Sequence, residues 1–185
     1  HTRTARQYSD FGLMTSDPEI GEDVHAVFQQ LTGLGRGRRL RKLLQTPFGL
    51  HARLLRLIED EADAARAGKE AHIQAKMNAL IEPELIRTLY RASQAGVKVD
   101  LLVRGICCLV PGVPGVSENI RVRSVVGRFL EHHRLFRFRA GGEDLTYLSS
   151  ADWMPRNFFR RVEVTFPVER KKNRSRVLRE GIEIY

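Results

Sequence analysis

The sequence contains little cysteine and no long apolar run. Its two cysteines, Cys107 and Cys108, are sequence neighbours, so they cannot staple the fold in the ordinary way, and they supply too few ligands for a zinc site. This usage favours a reducing compartment over secretion. The longest stretch without a charged residue, 105–117, has 13 residues and is broken by glycine and proline, whereas a membrane-spanning helix needs about 20 apolar residues. The sequence therefore predicts no transmembrane segment.

Acidic residues are outnumbered by basic ones. The chain of 185 residues has 31 lysines and arginines against 22 aspartates and glutamates, which gives a net charge of +9. This surplus favours a polyanionic partner such as nucleic acid, anionic lipid or chained phosphates, without choosing among them. The hydrophobic share of 42% is ordinary for a globular protein and predicts a buried core. The chain opens with His1 and has no charged-then-apolar leader, which predicts a domain taken from a longer protein.

Apolar spacing along the chain predicts alternating helices and strands, as in an α/β fold. Apolar residues recur every three or four positions in the predicted helices, and every second position in the predicted strand 72–80. The glycine-rich basic stretch 33–42 is typical of a linker and is the candidate domain boundary. Helices are predicted at 18–31, 50–67, from Pro83 to Gly96 and at 169–180, and strands at 8–14, 72–80, 97–103, 120–126, 135–138, 145–148 and 162–166.

The region 72–103 predicts a βαβ unit that ends at a candidate ligand site. Its two strands are expected to be parallel, with a right-handed crossover. Ligands of open α/β sheets gather outside the carboxyl ends of the strands, which is where Arg104 follows the second strand. Its guanidinium can donate to a phosphate group, and Gly105 leaves room beside it. An ion pair between Arg104 and a loop carboxylate is an equally good interpretation.

A second candidate cluster surrounds His132. If strands 135–138 and 145–148 form a hairpin through the turn 140–142, His132 and Arg134 lie near Ser149 and Ser150 at one end of the sheet. A histidine, a cation, hydroxyls and backbone amides are the groups that phosphoryl transfer uses. The alternatives are a partly buried histidine pair and an ordinary turn.

Arginines are concentrated in the same region. Between 121 and 161 there are nine arginines against four acidic residues. The excess fits a channel for an extended polyanion, although Arg121 and Arg123 alternate on a predicted strand and fit one solvated face equally well. Most aromatic residues lie in apolar runs, which argues against a stacking surface for RNA.

Five segments of the chain closely resemble bacterial polyphosphate kinases. They are HTRTARQYSDFG at 1–12, KMNAL at 76–80, LLVRGICCL at 101–109, SENIRVRSVVGRFLEH at 117–132 and YLSSADWM at 147–154. The resemblance runs along nearly the whole chain. It implies part of an enzyme that reversibly transfers the terminal phosphate of ATP to inorganic polyphosphate through a phosphohistidine.

The resemblance also implies a fold and a domain division. The fold is α/β, with a phospholipase D-like mixed sheet flanked by helices and the tail of a preceding similar domain. Residues 1–45 would be the end of the first catalytic domain plus a linker, and residues 46–185 the second catalytic domain. Alternative functions are a phosphodiesterase of the phospholipase D or nuclease kind, and a non-catalytic basic module that binds polyanions.

Site residues follow from the resemblance position by position. Tyr8 matches the tyrosine that holds the nucleotide base, and Arg104 and His132 match residues that contact the ATP phosphates. His132 would also be catalytic, as acid/base or as a phosphate-stabilising partner. The segment 132–134 resembles a degenerate His-x-Lys motif. The candidate phosphate contacts are Arg134, Ser149, Ser150 and Arg121.

The resemblance places other parts of the machinery upstream of residue 1. These are the phosphorylated histidine, which is not His1, and the arginines associated with Mg²⁺, so no metal ligand is expected in this chain. The chain alone is therefore expected to be inactive. The expected partners are ATP or ADP, polyphosphate and the upstream domains of the same protein. The complete protein is expected to be a homo-oligomer, and nucleic acid is not an expected partner. The expected location is the bacterial cytoplasm, with peripheral membrane contact left open.

Overall fold

The folded chain is built from nine strands and five α-helices in the residues that the computed structural model describes, 5–33 and 39–185. The strands are β1 (Tyr8–Ser9), β2 (Leu44–Gln45), β3 (His72–Met77), β4 (Lys98–Val103), β5 (Ile120–Arg123), β6 (Leu130–Glu131), β7 (Arg134–Phe138), β8 (Leu145–Ser149) and β9 (Val164–Pro167). The helices are α1 (Pro18–Leu31), α2 (Leu50–Arg66), α3 (Pro83–Gln94), α4 (Pro155–Arg160) and α5 (Lys171–Leu178). His1 and the centre of the predicted linker, 34–38, lie outside the described residues.

The main sheet has seven strands in the order β2-β9-β8-β7-β3-β4-β5. β3, β4 and β5 are parallel to one another, whereas β7, β8, β9 and β2 pair in antiparallel fashion. The βαβ prediction is confirmed, because β3 and β4 flank α3 in sequence and pair in parallel along their whole length. The predicted mixed sheet flanked by helices is confirmed as well.

Each face of the sheet is covered by a separate apolar cluster. Successive side chains of a strand point to opposite faces, and accordingly Phe136 belongs to one cluster and its neighbour Leu135 to the other. The larger cluster includes buried residues of α2 and α3 such as Leu54 and Leu89. The smaller one includes residues of α5 and of the π-helical turn Arg179–Glu183 that follows it. None of the described helices is long and apolar enough to cross a membrane.

The predicted hairpin is confirmed, and its turn shows why glycine is needed. β7 and β8 pair from Arg134↔Ser149 to Phe138↔Leu145. The connection contains the 3₁₀ turn Ala140–Gly142, in which Gly141 has φ +61° and Gly142 has φ +99°. L side chains rarely adopt these values, so glycine permits the reversal without strain.

Several elements differ from their predicted bounds because tertiary contacts cut them short or create them. The predicted strand 72–80 ends at Met77, and beyond it Leu80 forms isolated bridges to Cys107 and Trp153. Only Tyr8 and Ser9 of the predicted strand 8–14 form a strand, and they pair with β6. The two-residue strands β2 and β6 and the short helix α4 were not predicted. Strands of this length carry too little periodicity to be recognised without their partners.

Helix α1 is fixed to the rest of the fold by buried and bridging charges. The carboxylate of Asp23 is buried and accepts hydrogen bonds from the amides of residues 41–43 at 2.7–3.0 Å. The ammonium of Lys42 donates to Asp17 at 2.7 Å and to Glu169 at 2.9 Å. These bonds join α1 and its N-cap to residues 41–43 and to Glu169, which follows β9.

Candidate functional site

The candidate site lies at one edge of the sheet, where strand ends of both directions meet. β7 runs antiparallel to β3, and β8 runs antiparallel to β7. The carboxyl ends of β3, β4 and β8 therefore share an edge with the start of β7. Arg134, the first residue of β7, pairs with Ser149, the last residue of β8. The structure thus brings His132 and Arg134 together with Ser149 and Ser150.

An open cleft of about 330 Å³ is found at this edge. Its walls come from the segment after β1, from the start of β7, from the end of β8 and from β9. The lining residues are Asp10, Phe11, His132, His133, Arg134, Leu148, Ser149, Ser150, Val164 and Phe166. Four of the residues named from the sequence thus line one cleft, whereas Tyr8, Arg104 and Arg121 do not.

His132 presents part of its ring to the cleft and is contacted from three directions. Its side chain is 38% exposed. Its Nδ1 atom lies 3.2 Å from Nη1 of Arg134 and 3.5 Å from Oδ2 of Asp10. The ring of Tyr8 meets the imidazole edge to face, with the centroids 5.3 Å apart. Asp10 was not identified from the sequence, although it belongs to the quoted segment 1–12.

Arg134 is held by the buried carboxylate of Asp152. Like Asp10, Asp152 was not predicted from the sequence to be a site residue. The Nε and Nη2 atoms of Arg134 donate to the two carboxylate oxygens of Asp152, at 3.1 Å and 2.9 Å. Asp152 also accepts from the backbone and side-chain amides of Asn78, at 2.7 Å and 3.2 Å. Burial raises the pKa of Asp152, but the bonds from Arg134 and Asn78 outweigh it and keep the pKa below its ordinary value. Most donors of Arg134 therefore serve the protein itself.

The hydroxyls of Ser149 and Ser150 are bonded within the protein at the end of β8. Oγ of Ser149 shares a hydrogen bond of 2.6 Å with Oγ1 of Thr165. Oγ of Ser150 donates to Glu163 at 2.6 Å and accepts from the amide of Val164. These bonds fasten the end of β8 to β9 and shape the cleft wall.

Arg104 lies beside the carboxyl end of β3. Its amide donates to the carbonyl of Met77 at 3.1 Å, and the amide of Gly105 donates to the carbonyl of Asn78 at 2.9 Å. A Cβ atom at Gly105 would lie 3.0 Å from that carbonyl oxygen, so glycine permits the close approach. Nε of Arg104 is buried without a hydrogen bond, and no described carboxylate forms an ion pair with this guanidinium.

An ion pair between the buried Lys76 and the partly buried Glu131 lies beside Arg104. The ammonium of Lys76 bonds to the carboxylate of Glu131, which also accepts from the hydroxyl of Tyr185. Burial lowers the pKa of Lys76 more than Glu131 raises it. Lys76 and Glu131 line a small cavity together with Arg104. They therefore place one cation and one anion next to the candidate phosphate-binding residues.

Arg121 lies apart from these residues. It is exposed on β5, which is the outermost strand on one side of the sheet. It pairs with Asp100 of β4 and not with the carboxyl end of that strand. The structure therefore does not bring Arg121 to the cleft.

The two adjacent histidines occupy different environments. The side chain of His132 is partly exposed, whereas His133 is only 6% exposed and packs against Phe11 with the ring centroids 4.5 Å apart. Nε2 of His133 is buried and makes no hydrogen bond. Burial, followed by the charge of Lys76, lowers the pKa of His133 to about 4. His133 is therefore neutral near pH 7 and belongs to the packing behind the cleft.

Acidification is expected to destabilise the fold through His133. An unfolded histidine has a pKa of about 6.5, so between pH 6.5 and about 4 the unfolded state binds more protons than the folded state. The unfolding free energy should then fall by up to about 3 kcal/mol on acidification across this window. Urea unfolding at several pH values should show a smaller fall for His133→Leu than for the unsubstituted chain. The exposed His25→Leu is the matched control, and an equal fall in all three proteins would contradict the assignment.

Three larger cavities lie elsewhere and contain none of the candidate site residues. One of about 650 Å³ is lined by residues between 30 and 56, including Arg53, Arg56 and Phe48. The second, of about 450 Å³, lies between residues 13–20 and 167–173, and the third, of about 410 Å³, is lined by residues 123–126 and Tyr185. Size alone would favour them, but none of the three is lined by a histidine. The chemistry therefore favours the smaller cleft.

Among the described residues, His51, Glu82 and Glu84 form a group of potential metal ligands. Nε2 of His51 lies 3.1 Å from Oε2 of Glu82 and 3.9 Å from Oε2 of Glu84. Mg²⁺ requires octahedral oxygen coordination, whereas one donor here is a ring nitrogen. The same oxygen of Glu82 also accepts a hydrogen bond of 2.7 Å from the amide of Leu85 and caps α3. These residues do not fit Mg²⁺.

Comparisons with known proteins match both ends of the chain. Residues 43–184 match the family described as polyphosphate kinase C-terminal domain 2, and residues 1–37 match polyphosphate kinase C-terminal domain 1. The polyphosphate kinase of Burkholderia vietnamiensis (strain G4 / LMG 22486) is 64% identical over 184 residues, which cover 100% of this chain and 27% of that protein.

One solved structure gives the same result. The crystal structure of polyphosphate kinase from Porphyromonas gingivalis matches with a TM-score of 0.86 and 41% identity, over 90% of this chain and 26% of that chain. A weaker match, with a TM-score of 0.49 and 10% identity over 75% of this chain and 90% of that one, is Nuc from Salmonella typhimurium, described as a phospholipase D family member. The chain spans about a quarter of the length of the two polyphosphate kinases.

Proposed function

The chain belongs to the polyphosphate kinase family, and we propose that it forms the part of a phosphotransferase that holds ATP while its terminal phosphate moves reversibly to polyphosphate. The observation that carries the proposal is the cleft at the carboxyl edge of the sheet, where the partly exposed ring of His132 is contacted by Asp10, Arg134 and Tyr8. The imidazole of His132 and the guanidinium of Arg134 suit a transferring phosphate because negative charge develops on its oxygens.

Three residues are proposed to bind the nucleotide. Tyr8 is 46% exposed, so part of its ring is accessible to a base, while its contact with His132 fixes the ring orientation. Arg104 forms no ion pair with a described carboxylate, which leaves its guanidinium to balance phosphate charge. His132 is the proposed catalytic residue. Ser149 and Ser150 would act mainly through the wall that they shape, and Arg121 would meet a phosphate chain only outside the cleft.

Other parts of the complete protein would supply the remaining chemistry. We propose that the phosphorylated histidine and the ligands of Mg²⁺ lie outside residues 1–185. Bound Mg²⁺ would neutralise charge on the ATP phosphates. The division at residues 45 and 46, the homo-oligomer and any peripheral membrane contact remain predictions. The free thiols of Cys107 and Cys108 support a reducing compartment such as the cytoplasm.

The proposal is tested by comparing substrates. The complete protein should form ADP and lengthen polyphosphate when it is given ATP, and should leave DNA and phosphatidylcholine uncleaved. The 185-residue chain alone, assayed in parallel, should form no ADP. Phosphodiester cleavage without ADP formation would instead indicate a phospholipase D or nuclease activity. Salt-dependent RNA binding with no preference for ATP or polyphosphate would indicate a polyanion-binding module.

A further inference from the structure

The neighbours of His132 constrain which of its ring nitrogens carries the proton. A guanidinium can only donate hydrogen bonds. Nη1 of Arg134 lies 3.2 Å from Nδ1 of His132, so a hydrogen bond between them requires a lone pair on Nδ1. In the neutral ring the proton must then be on Nε2. No described residue forms a hydrogen bond with Nε2, which leaves it available to a ligand in the cleft.

Arg134 is not free to turn away from the imidazole. Two of its nitrogens are bonded to Asp152, and the two side chains are only 11% and 8% exposed. Asp152 is itself held by the backbone and side-chain amides of Asn78. A bidentate pair of this kind fixes the plane of the guanidinium, and that plane directs Nη1 at His132.

We propose that Asp152 and Arg134 are positioning residues that hold His132 neutral, with its proton on Nε2, so that it acts as a hydrogen-bond donor to a phosphate oxygen. The inference rests on the proposed function and decides between the two roles left open for His132. To act as a general acid, His132 would have to be an imidazolium with a second proton on Nδ1. That proton would face the N–H donor of Arg134. A neutral ring donates a hydrogen bond from Nε2 without giving up the proton, so no net proton transfer occurs at His132.

The other charged groups around His132 define the competing arrangement. Asp10 follows β1 and could accept from a protonated Nδ1 at 3.5 Å, and Glu131 precedes His132 but is bonded to Lys76. Tyr8 contributes its ring. Asp10 would stabilise an imidazolium, whereas Arg134 opposes it. Substitutions at these two positions should therefore have different consequences.

The test compares Arg134→Lys with Arg134→Gln in the complete protein. Lysine can only donate and should keep the lone pair on Nδ1, whereas the amide oxygen of glutamine can accept from Nδ1 and release the constraint. We expect phosphotransfer to fall about 10-fold for Arg134→Lys and about 10²–10³-fold for Arg134→Gln, the usual loss for one preorganised donor. Asp10→Asn should cost less than Arg134→Gln, since in this arrangement Nδ1 does not donate.

A spectroscopic readout separates positioning from structural support. Solid-state ¹⁵N NMR of the histidine-labelled complete protein, with His132→Gln as the assignment control, should show a proton on Nε2 and none on Nδ1. Arg134→Gln should shift this distribution and Arg134→Lys should not. Because Arg134→Gln leaves Asp152 buried without its cation, the double variant Arg134→Gln/Asp152→Asn is measured alongside, with thermal unfolding as the check on folding.

Two results would overturn the inference. One is a His132 signal with both nitrogens protonated at the pH of maximal activity. The other is an equal loss of activity in Arg134→Lys and Arg134→Gln with an unchanged ¹⁵N signal, which would make Arg134 a structural residue only. The NMR result does not depend on turnover, so a complete protein that forms no ADP would refute the proposed function while the tautomer could still be determined.

Discussion

His132→Ala in the complete protein is expected to lower ATP-dependent phosphotransfer by at least about 10²–10³-fold, the loss typical of one preorganised hydrogen-bond donor. The substitution removes the cleft imidazole and the partner of both Arg134 and Tyr8. The His132 side chain is 38% exposed, so its removal should change the unfolding free energy by no more than about 1 kcal/mol. ADP formation and the urea midpoint are the two measurements.

Two further variants make this prediction specific. His25→Ala, on the exposed face of α1, should retain the parental rate and serves as the matched control. His132→Gln keeps an N–H donor near the position of Nε2, so it should lose less activity than His132→Ala if the ring acts as a neutral donor. An unchanged rate in His132→Ala would remove His132 from the mechanism.

Trp153→Ala is expected to lower the unfolding free energy by about 3–5 kcal/mol, the range for truncating a buried aromatic residue. Trp153 is 0% exposed, and its ring centroid lies 5.3 Å from that of Phe136. Its backbone also accepts hydrogen bonds from the amides of Ile81 and Glu82, which continue from β3. The alanine variant would leave a cavity in the core close to the strand ends that form the cleft.

Trp153→Phe is the control for this second prediction. Nε1 of Trp153 is buried without a partner, so phenylalanine removes no hydrogen bond and should cost less than half as much as alanine. Denaturant unfolding followed by circular dichroism measures both variants, since this is the only tryptophan in the sequence and its fluorescence is lost in each. A loss below about 1 kcal/mol for Trp153→Ala would show that the site collapses around the cavity.

Elements with a strong local signal were predictable from the sequence. Pro18, preceded by the two candidate caps Ser16 and Asp17, marks the start of α1, and in the structure Asp17 accepts from the amides of Glu19 and Ile20. The βαβ unit was predictable because the apolar spacings typical of a strand and of a helix can each be recognised within one continuous segment of the sequence. β6 could not be predicted, because its two residues become a strand only by pairing with Tyr8 and Ser9, far away in the sequence.

By itself the sequence determined the family resemblance, the hairpin, the βαβ unit and the grouping of His132 with Arg134, Ser149 and Ser150. These features depend on residues close together in the chain or on whole quoted segments.

Only the tertiary structure decided which groups meet at the site. It placed His132 in the cleft and His133 in the packing behind it, and it joined Asn78 to Asp152 across 74 positions of sequence. It also showed that Arg134 is held by Asp152 rather than left free for a phosphate. The physical reason is that hydrogen-bond partners are set by strand order and register, and no local pattern of residues encodes either.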